Sequence, residues 1–460
     1  MKITGLFSEE KTPYTLFVLA VCAHVAVFYA LLYLYGPCSF FLSNDCSLNG
    51  NDTQHYVILA DNLTHGNGYS RFIDPPYEPD ALRTPLLPLY FAPFTAVSHF
   101  SIIWLAILLL NLLLSLAPPV LYKLSRFFLP HRYALFAGLF LAFEPLFLYR
   151  SQIAEPDALL LLLLVSAAYF LIRSWKKGRL IDLCASAVLL GLSILAKPTA
   201  LYIAGLMVVF EIIYTSFLSD IDHAGRLKRI AAMFGIIVLV VFPWLARNKI
   251  IFDVAGLSSI QGYNLYAYYT KDLPIPGDAI PPMMFAYSRE PSRYLPFQKM
   301  FIDVSIERIY KHQHEFAKEM AVGAVRNLLV SDISQIYYYG HQKLLPFSYN
   351  PESKTNIHEL LLKGDWGGAV KALVGPKVIW ILMLIALYFF AVIGWVFSRK
   401  DRTTFLAFTL FFLMFGYLIV ASGPFVDAKY RLPALPLLLI AALYGLERIR
   451  GLNALRITLK

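Results

Sequence analysis

A polytopic α-helical membrane protein is the fold class this sequence predicts, and three observations predict it. Of 460 residues, 58% are apolar and 15% charged, against roughly 45–50% and 25% in soluble domains. Apolar runs long enough to cross a bilayer recur along the chain, separated by short connections. The net charge of +10 is not spread as a nucleic-acid-binding face would be. Lys and Arg gather in short clusters between the apolar runs, as they do in cytoplasmic loops.

The first run, Tyr14–Tyr35, is about 22 residues and spans a bilayer. It lacks a small-residue cleavage site, so it reads as a retained helix rather than a signal peptide. The four cysteines are too few for a disulfide framework. Cys22 and Cys184 lie in apolar runs and read as packing residues. Cys38 and Cys46 fall in the first outer loop, Gly36–Leu82, where an oxidising compartment would permit a bridge. Within that loop, Thr53–His65 has apolar residues at Tyr56, Ile58, Leu59, Ala60 and Leu63. That spacing predicts a helix lying on the membrane surface, with Asp52 at its N-cap and Gly66–Tyr69 ending it. Pro85–Ser98 is apolar but short and interrupted by Pro88 and Pro93. It reads as a re-entrant helix, and broken helices at membrane depth line cavities because their freed backbone groups need partners. Spans are expected at Ser101–Tyr122, Tyr133–Leu148, Glu155–Ile172, Leu180–Ala196, Thr199–Phe217, Ile230–Ala246, Val378–Phe397, Thr404–Ala421 and Leu432–Leu446. With the first, that makes about ten.

The polarity of the connections tests this topology. Lys123, Arg126 and Arg132 share one loop; Arg173, Lys176, Lys177 and Arg179 share another. Arg226, Lys228 and Arg229, then Arg399, Lys400 and Arg402, then the tail from Arg448 to Lys460 complete the set. With an inside N-terminus, every cluster falls on the cytoplasmic side. Asp52, Arg83, Glu155, Asp157, Lys197, Arg247, Lys429 and Arg431 then fall on the outer face. The chain divides into an N-terminal transmembrane module (1–248, including outer loop 36–83), an outer soluble domain of mixed structure (249–376) and C-terminal transmembrane helices (377–460). The middle segment holds Pro274 and Pro276, the tyrosine-rich Tyr263–Tyr269 and an amphipathic helix around Asp303–Leu329. No repeat of 20–50 residues is apparent.

Asp52 alone would be accounted for as a helix cap. Glu155 and Asp157, at the outer mouth of the fourth span, add a second acidic site on the same face. Two such sites flanking a re-entrant helix point to a shared cavity, because ionisable groups at this depth are expensive. Arg83, Arg247, Lys429 and Arg431 are cations on the face where few are expected. Single ones would snorkel to headgroups; four together suit an anion, since Arg offers paired hydrogen bonds to phosphate. Lys197 is a further candidate of this kind. His55, one turn after Asp52, is either a ligand contact or a surface histidine. A carboxylate and a cation over an apolar surface suit chemistry on a lipid-linked anionic substrate. No HExxH, CxxC pair, GxSxG or Walker loop is present, which disfavours a nucleotide-driven pump or a zinc protease. Asn51 and Asn62 stand in glycosylation sequons, a pattern short enough to arise by chance.

Asp52 with Tyr56 and Ala60–Gly68 resembles the first outer loop of membrane-bound GT-C glycosyltransferases. The likeness is to the family-39-type enzymes, the dolichyl-phosphate-mannose protein mannosyltransferases and the bacterial lipid A aminoarabinose transferases. Arg83–Pro88 is similar to their basic residue and proline-rich short helix, and Glu155–Pro156 to their second acidic motif. Pro243–Asn248, Gly262–Asn264 and Lys429–Pro436 are similar to later landmarks. The resemblance covers most of the membrane part in order and hardly touches Tyr268–Gly375. One acid stands at Asn51–Thr53 where an acidic pair is common, which bears on metal use. Arg83 stands where some members have Lys.

The resemblance implies a GT-C-type fold and transfer of a single sugar, with inversion, from a polyprenyl-phosphate donor to an acceptor hydroxyl. The reaction would occur at the outer face of a bacterial inner (plasma) membrane, facing the periplasm or the cell exterior. Asp52 would be the general base, with Arg83, Arg247 and Arg431 holding the phosphate. Glu155 would orient the acceptor or a divalent cation; any metal would sit at Asp52 and Glu155, and no cofactor is otherwise implied. His55, Tyr56, Asp157, Lys197 and Lys429 would line the substrate site. The partners implied are the lipid-linked donor, membrane lipids and a protein, lipid or glycan acceptor, without nucleic acid. Two alternatives remain open: a transporter or flippase of a lipid-linked sugar, and an oligosaccharide polymerase or ligase. Paired repeats along a midplane path, common in transporters, are not visible.

Overall fold

Helices account for the described architecture, and two of their breaks, before α5 and before α7, fall where prolines remove backbone donors. A computed structural model of the chain describes residues 7–35, 52–99, 101–270, 273, 288–330 and 376–458. Cys38, Cys46, Asn51, Pro274, Pro276 and residues 331–375 lie outside the described residues.

The first helix, α1 (Thr12–Tyr35), matches the expected span. The next, α2 (Asp52–Thr64), packs along α3 (Leu86–Ser98). It is not the membrane-surface helix expected: Tyr56, Val57, Ile58, Leu59 and Ala60 are all buried. Five consecutive apolar residues turn through about 400°, four steps of 100°, more than one full circuit, so they cannot share one face. A helix apolar on all sides is enclosed by protein.

The expected span Ser101–Tyr122 is divided into α4 (Ile103–Leu114) and α5 (Ala117–Ser125). Pro118 and Pro119 stand in the first turn of α5, where missing N–H groups cost nothing. The expected span Tyr133–Leu148 is likewise divided, into α6 (His131–Ala142) and α7 (Pro145–Arg150). Glu144 caps α7, its carboxylate accepting from the Phe147 amide. Long helices follow: α8 (Asp157–Lys177), α9 (Leu180–Ala196), α10 (Ala200–Phe217) and α11 (His223–Phe252). Among the described residues seven helical segments are long and apolar enough to cross a membrane. Of the ten spans expected, Tyr133–Leu148 is broken, and Leu180–Ala196 runs only 17 residues. The last span becomes part of a longer helix, apolar only over its first half.

The part of 249–376 that is described is helical, without a strand among the described residues: α12 (Ile260–Asn264), α13 (Gln298–Lys311) and α14 (Gln313–Leu329). The predicted amphipathic helix is therefore two helices that meet at His312. The chain closes with α15 (Pro376–Ser398), α16 (Arg402–Ala421) and α17 (Leu435–Thr458).

Alternation of helix direction sorts the charges. Lys176 at the end of α8 pairs with Asp401 before α16, and Arg126 after α5 pairs with Glu9 before α1. At the opposite end, Lys197 after α9 meets Asp157 at the start of α8. In the middle, α8 is buried on nearly every side from Asp157 to Ala168, as is α17 from Leu437 to Tyr444.

The tightest crossing joins α15 and α17. A Cβ on Gly394 would collide with the carbonyl of Ala441, and one on Gly445 with that of Phe390. Small residues allow such approach where lipid supplies no hydrophobic drive between helices. Gly394→Val is therefore expected to lower stability by at least about 1–3 kcal/mol, read as a fall in thermal unfolding temperature in detergent. Gly416→Ala, with nothing within 4 Å of its Cβ position, is the control expected not to lower that temperature.

Candidate active site

Two clusters of ion pairs meet at the end of the bundle that holds Asp52. The first is built on α2 and the loop leading to α3. Arg71 is buried and donates through Nε to Asp80 Oδ2 at 2.5 Å and through a terminal nitrogen to His55 Nδ1 at 2.7 Å. Asp80 Oδ1 accepts from the Leu82 amide at 2.8 Å. Asn62 donates to the carbonyls of Ser70 and Phe72, each at 2.8 Å. These bonds pin the loop and present Arg83, which donates to Asp52 and lies over the Tyr56 ring at 5.6 Å. The Asp52 side chain remains 55% exposed, so a substrate can reach it.

His55 is fixed by its neighbours. Its Nδ1 faces the guanidinium groups of Arg71 at 2.7 Å and Arg83 at 3.3 Å. A guanidinium only donates, so Nδ1 accepts and the proton sits on Nε2. Burial, then the charges of Arg71, Arg83 and Arg293, hold its pKa far below the ordinary 6.5.

The second cluster centres on Arg150, a fully buried side chain. It donates to Glu155 Oε2 at 3.0 Å and to both oxygens of Asp427 at 3.1 and 3.0 Å. Lys197 donates to Asp157 Oδ1 at 2.6 Å and lies 5.4 Å from the Tyr430 ring centre. Among the described residues the Lys429 ammonium reaches the carboxylates of Glu155 and Asp427 only at 3.9 Å, beyond hydrogen-bond length. Burial works against its charge, but Glu155 and Asp157 outweigh that and raise its pKa above the usual lysine value. Lys197, Lys429, Tyr430, Thr199 and Leu160 line a cavity of about 20 Å³, room for little more than one water.

Tyr56 links the clusters. Burial raises its pKa, with contributions from Asp52, Asp157 and Glu155, and Glu155 also stabilises the Arg83 cation. The structure thus brings together Asp52, His55, Tyr56 and Arg83 on one side and Glu155, Asp157, Lys197 and Lys429 on the other.

Two expected phosphate ligands are occupied elsewhere. Arg247 donates to the Asp80 carbonyl at 2.9 Å and to Asn248 Oδ1 at 2.7 Å, among the rings of Tyr69, Trp244 and Phe252. Arg431 donates to the carbonyls of Asn327 at 2.9 Å and Val330 at 2.5 Å, closing the C-terminus of α14. Both serve backbone oxygens that α-helix ends and loops leave unpaired, which a sequence does not show. Asp52 and Glu155 belong to no group of three potential metal ligands among the described residues. The sequence reading passed over Arg71, Asp80, Arg150 and Asp427. Arg150 carried a usable signal: a cation five residues before Glu155 on the face where cations are scarce.

Residues 82–246 match the family described as dolichyl-phosphate-mannose-protein mannosyltransferase. No curated protein matches the chain. Among solved structures, the archaeal oligosaccharyltransferase AglB from Archaeoglobus fulgidus, in complex with an inhibitory peptide and a dolichol-phosphate, is similar at 15% identity with a TM-score of 0.52. That match covers 98% of this chain and 52% of the other. The same enzyme tethered to an acceptor peptide gives 14% identity and 0.51, over 97% of this chain and 51% of the other. ArnT from Cupriavidus metallidurans, bound to undecaprenyl phosphate, gives 13% and 0.41, over 94% and 77%. The chain spans about half the length of the oligosaccharyltransferases it matches. It has the GT-C fold.

Two predictions follow from these geometries. Arg150→Ala leaves Glu155 and Asp427 without their guanidinium and with only the Lys429 ammonium at 3.9 Å, and is expected to cost about 3–5 kcal/mol, measured by chemical or thermal unfolding in detergent. For His55, the unfolded chain binds a proton below about pH 6.5 that the folded chain refuses, so its contribution is present above that pH and lost as pH falls. The loss reaches about 1.4 kcal/mol per pH unit. His55→Gln is expected to melt with a shallower pH dependence than the wild type between about pH 7 and 5.

Proposed function

We propose that this GT-C chain is an inverting glycosyltransferase that moves one sugar from a polyprenyl-phosphate donor to an acceptor hydroxyl. The observation that carries the proposal is the half-exposed Asp52 carboxylate held on Arg83, with the Lys429 ammonium held charged and short of a hydrogen bond nearby. The positive-inside distribution of the loops supports an outward-facing site. In a bacterium the protein would then lie in the inner membrane with its site toward the periplasm.

The chemistry follows from charge. The donor phosphodiester carries one negative charge, and breaking the bond between the anomeric carbon and the phosphate oxygen leaves a second on the polyprenyl phosphate. Arg83 and Lys429 would offset it as it develops. As the phosphate engages Arg83, the Asp52 carboxylate is released. It then takes the proton of the acceptor hydroxyl, whose oxygen attacks the anomeric carbon from the opposite side. Glu155 and Asp157 would orient the acceptor, with Lys197 positioning Asp157. Should a divalent cation take part, carboxylates here would hold it. The cavity as it stands is water-sized, so donor entry requires side chains around Lys429 and Tyr430 to move.

This reading keeps residues 1–248 as the catalytic membrane module, 249–376 as an outer domain and 377–460 as the closing helices. The acceptor, whether protein, lipid or glycan, is read by the outer part. The family match at 82–246 supports transferase chemistry, and the archaeal structure of the same fold holds a dolichol-phosphate.

The test is turnover of a polyprenyl-monophosphate sugar by the full-length protein in nanodiscs, scored as release of polyprenyl phosphate. Asp52→Asn is expected to slow release by at least about 100-fold while donor lipid still binds. Lys429→Met should lose both binding and turnover. Sugar lipid crossing the membrane uncleaved would favour a flippase, and activity only on diphosphate-linked oligosaccharide would favour a ligase. Undiminished release by Asp52→Asn would remove that residue as the base.

A further inference from the structure

We infer that Asp61, His65 and His99 form a site for a divalent transition-metal cation, zinc by the chemistry of the donors, that staples the far ends of α2 and α3. Asp61 stands in the last turn of α2 and His65 directly follows the helix, its amide still bonded to the Asp61 carbonyl at 3.1 Å, so the two keep the four-residue spacing by which helical residues ligate metals. His99 comes from the residue that ends α3. Its Nδ1 lies 2.9 Å from Asp61 Oδ1, and the His65 Nδ1 lies 3.3 Å from the same oxygen. All three residues offer ligand atoms within 4.8 Å of one another. Tetrahedral zinc with bonds of about 2.0–2.1 Å sets its ligand atoms roughly 3.3–3.4 Å apart. The Asp61–His65 separation meets that spacing, but the His65 Nδ1 now bonds the Asp61 carbonyl at 2.8 Å, so ligation breaks that bond and turns both exposed rings toward a common point.

The two imidazoles now stack face to face, with ring centres 4.0 Å apart and planes inclined by 8°, so that holding one ion between them requires both rings to rotate out of the stack. His99 reaches this position with φ at 51° and ψ at −109°, a region that non-glycine residues rarely occupy. Imidazole and carboxylate donors suit zinc rather than calcium or magnesium. A cation here would take the place of the ring protons now directed at Asp61. The His99 side chain is 63% exposed, so metal can enter and a water can complete the coordination.

This site is not where a reaction metal would sit. Asp61 lies nine residues beyond Asp52 along α2, roughly 14 Å away. Because α2 starts at Asp52 and α3 starts just after Arg83, a cation at the other end fixes the register between the helices that carry that pair.

The experiment is metal binding to the full-length protein in nanodiscs after chelator treatment, titrated with zinc and followed also by the visible spectrum of bound cobalt. One equivalent is expected in the wild type and in Asp52→Asn, which separates this site from the proposed chemistry. His99→Ala and His65→Ala are expected to bind at least about tenfold more weakly, the minimum cost of losing even an outer-shell partner. Zinc should raise the melting temperature of the wild type but not of the double His65→Ala/His99→Ala variant. Equal zinc affinity in wild type and double variant overturns the site. So does a wild type that binds no zinc while eluting as a single folded species.

Discussion

A buried guanidinium between two carboxylates organises the site end of this molecule. Arg150 joins Glu155, five residues on, to Asp427, 277 residues on. Placing three charges in so apolar a setting returns little net stability relative to an apolar replacement. Its consequence is positional, since a guanidinium with fixed fork geometry is satisfied by only one arrangement of its partners. That arrangement brings the loop between α16 and α17 against the turn before α8, and with it Lys429 beside Glu155. Asn327 secures the same loop from the other side, donating to Ser422 and to the Phe425 carbonyl and accepting from the Asp427 amide.

Charge in the two clusters is close to balanced. Arg150, Lys197 and Lys429 face Glu155, Asp157 and Asp427; Arg71, Arg83 and Arg293 face Asp52, Asp80 and Glu290. An anion can therefore bind only by drawing a cation away from a carboxylate. The pairs differ in how firmly they are closed. Arg71–Asp80 and Arg150–Asp427 are fully buried, and Asp80 has a backbone partner as well. Arg83–Asp52 has a half-exposed carboxylate, and Lys429 is not hydrogen-bonded to either neighbour. Exchange of partners is cheapest at these two points, which are also the ones nearest solvent and cavity.

What the sequence revealed follows from the same physics. Leu180–Ala196 was legible to the residue because its boundaries are set by charged loops. Asp52, Arg83, Glu155, Asp157, Lys197 and Lys429 could be assigned to one end of the bundle because loop charge decides which ends of helices lie together. Arg247 and Arg431 met the same criterion, yet their donors serve carbonyls whose positions depend on how distant segments pack. The division of α4 from α5 was written in Pro118 and Pro119, but an average of hydropathy passes over it. The burial of α2 was written in five consecutive apolar residues, which a one-faced reading of the helix had sampled selectively.

The loop between α2 and α3 explains how a partly exposed carboxylate can be held ready without substrate. Asp80 is held by Arg71, by the Leu82 amide and, through its carbonyl, by Arg247. Tyr69 donates to the Arg83 carbonyl at 3.1 Å and stacks edgewise on Trp244, whose ring nitrogen donates to Leu257. The backbone of Arg83 is thus tied to α11 through rings and buried polar groups, while its guanidinium reaches the half-exposed Asp52 carboxylate. An exchange of partners at such a pair draws on mobility in the last bonds of the side chain and rigidity behind them. That division of stiffness is what separates Arg83 from Arg71, which has the same chemistry only a short distance away but has both its backbone and its head group enclosed.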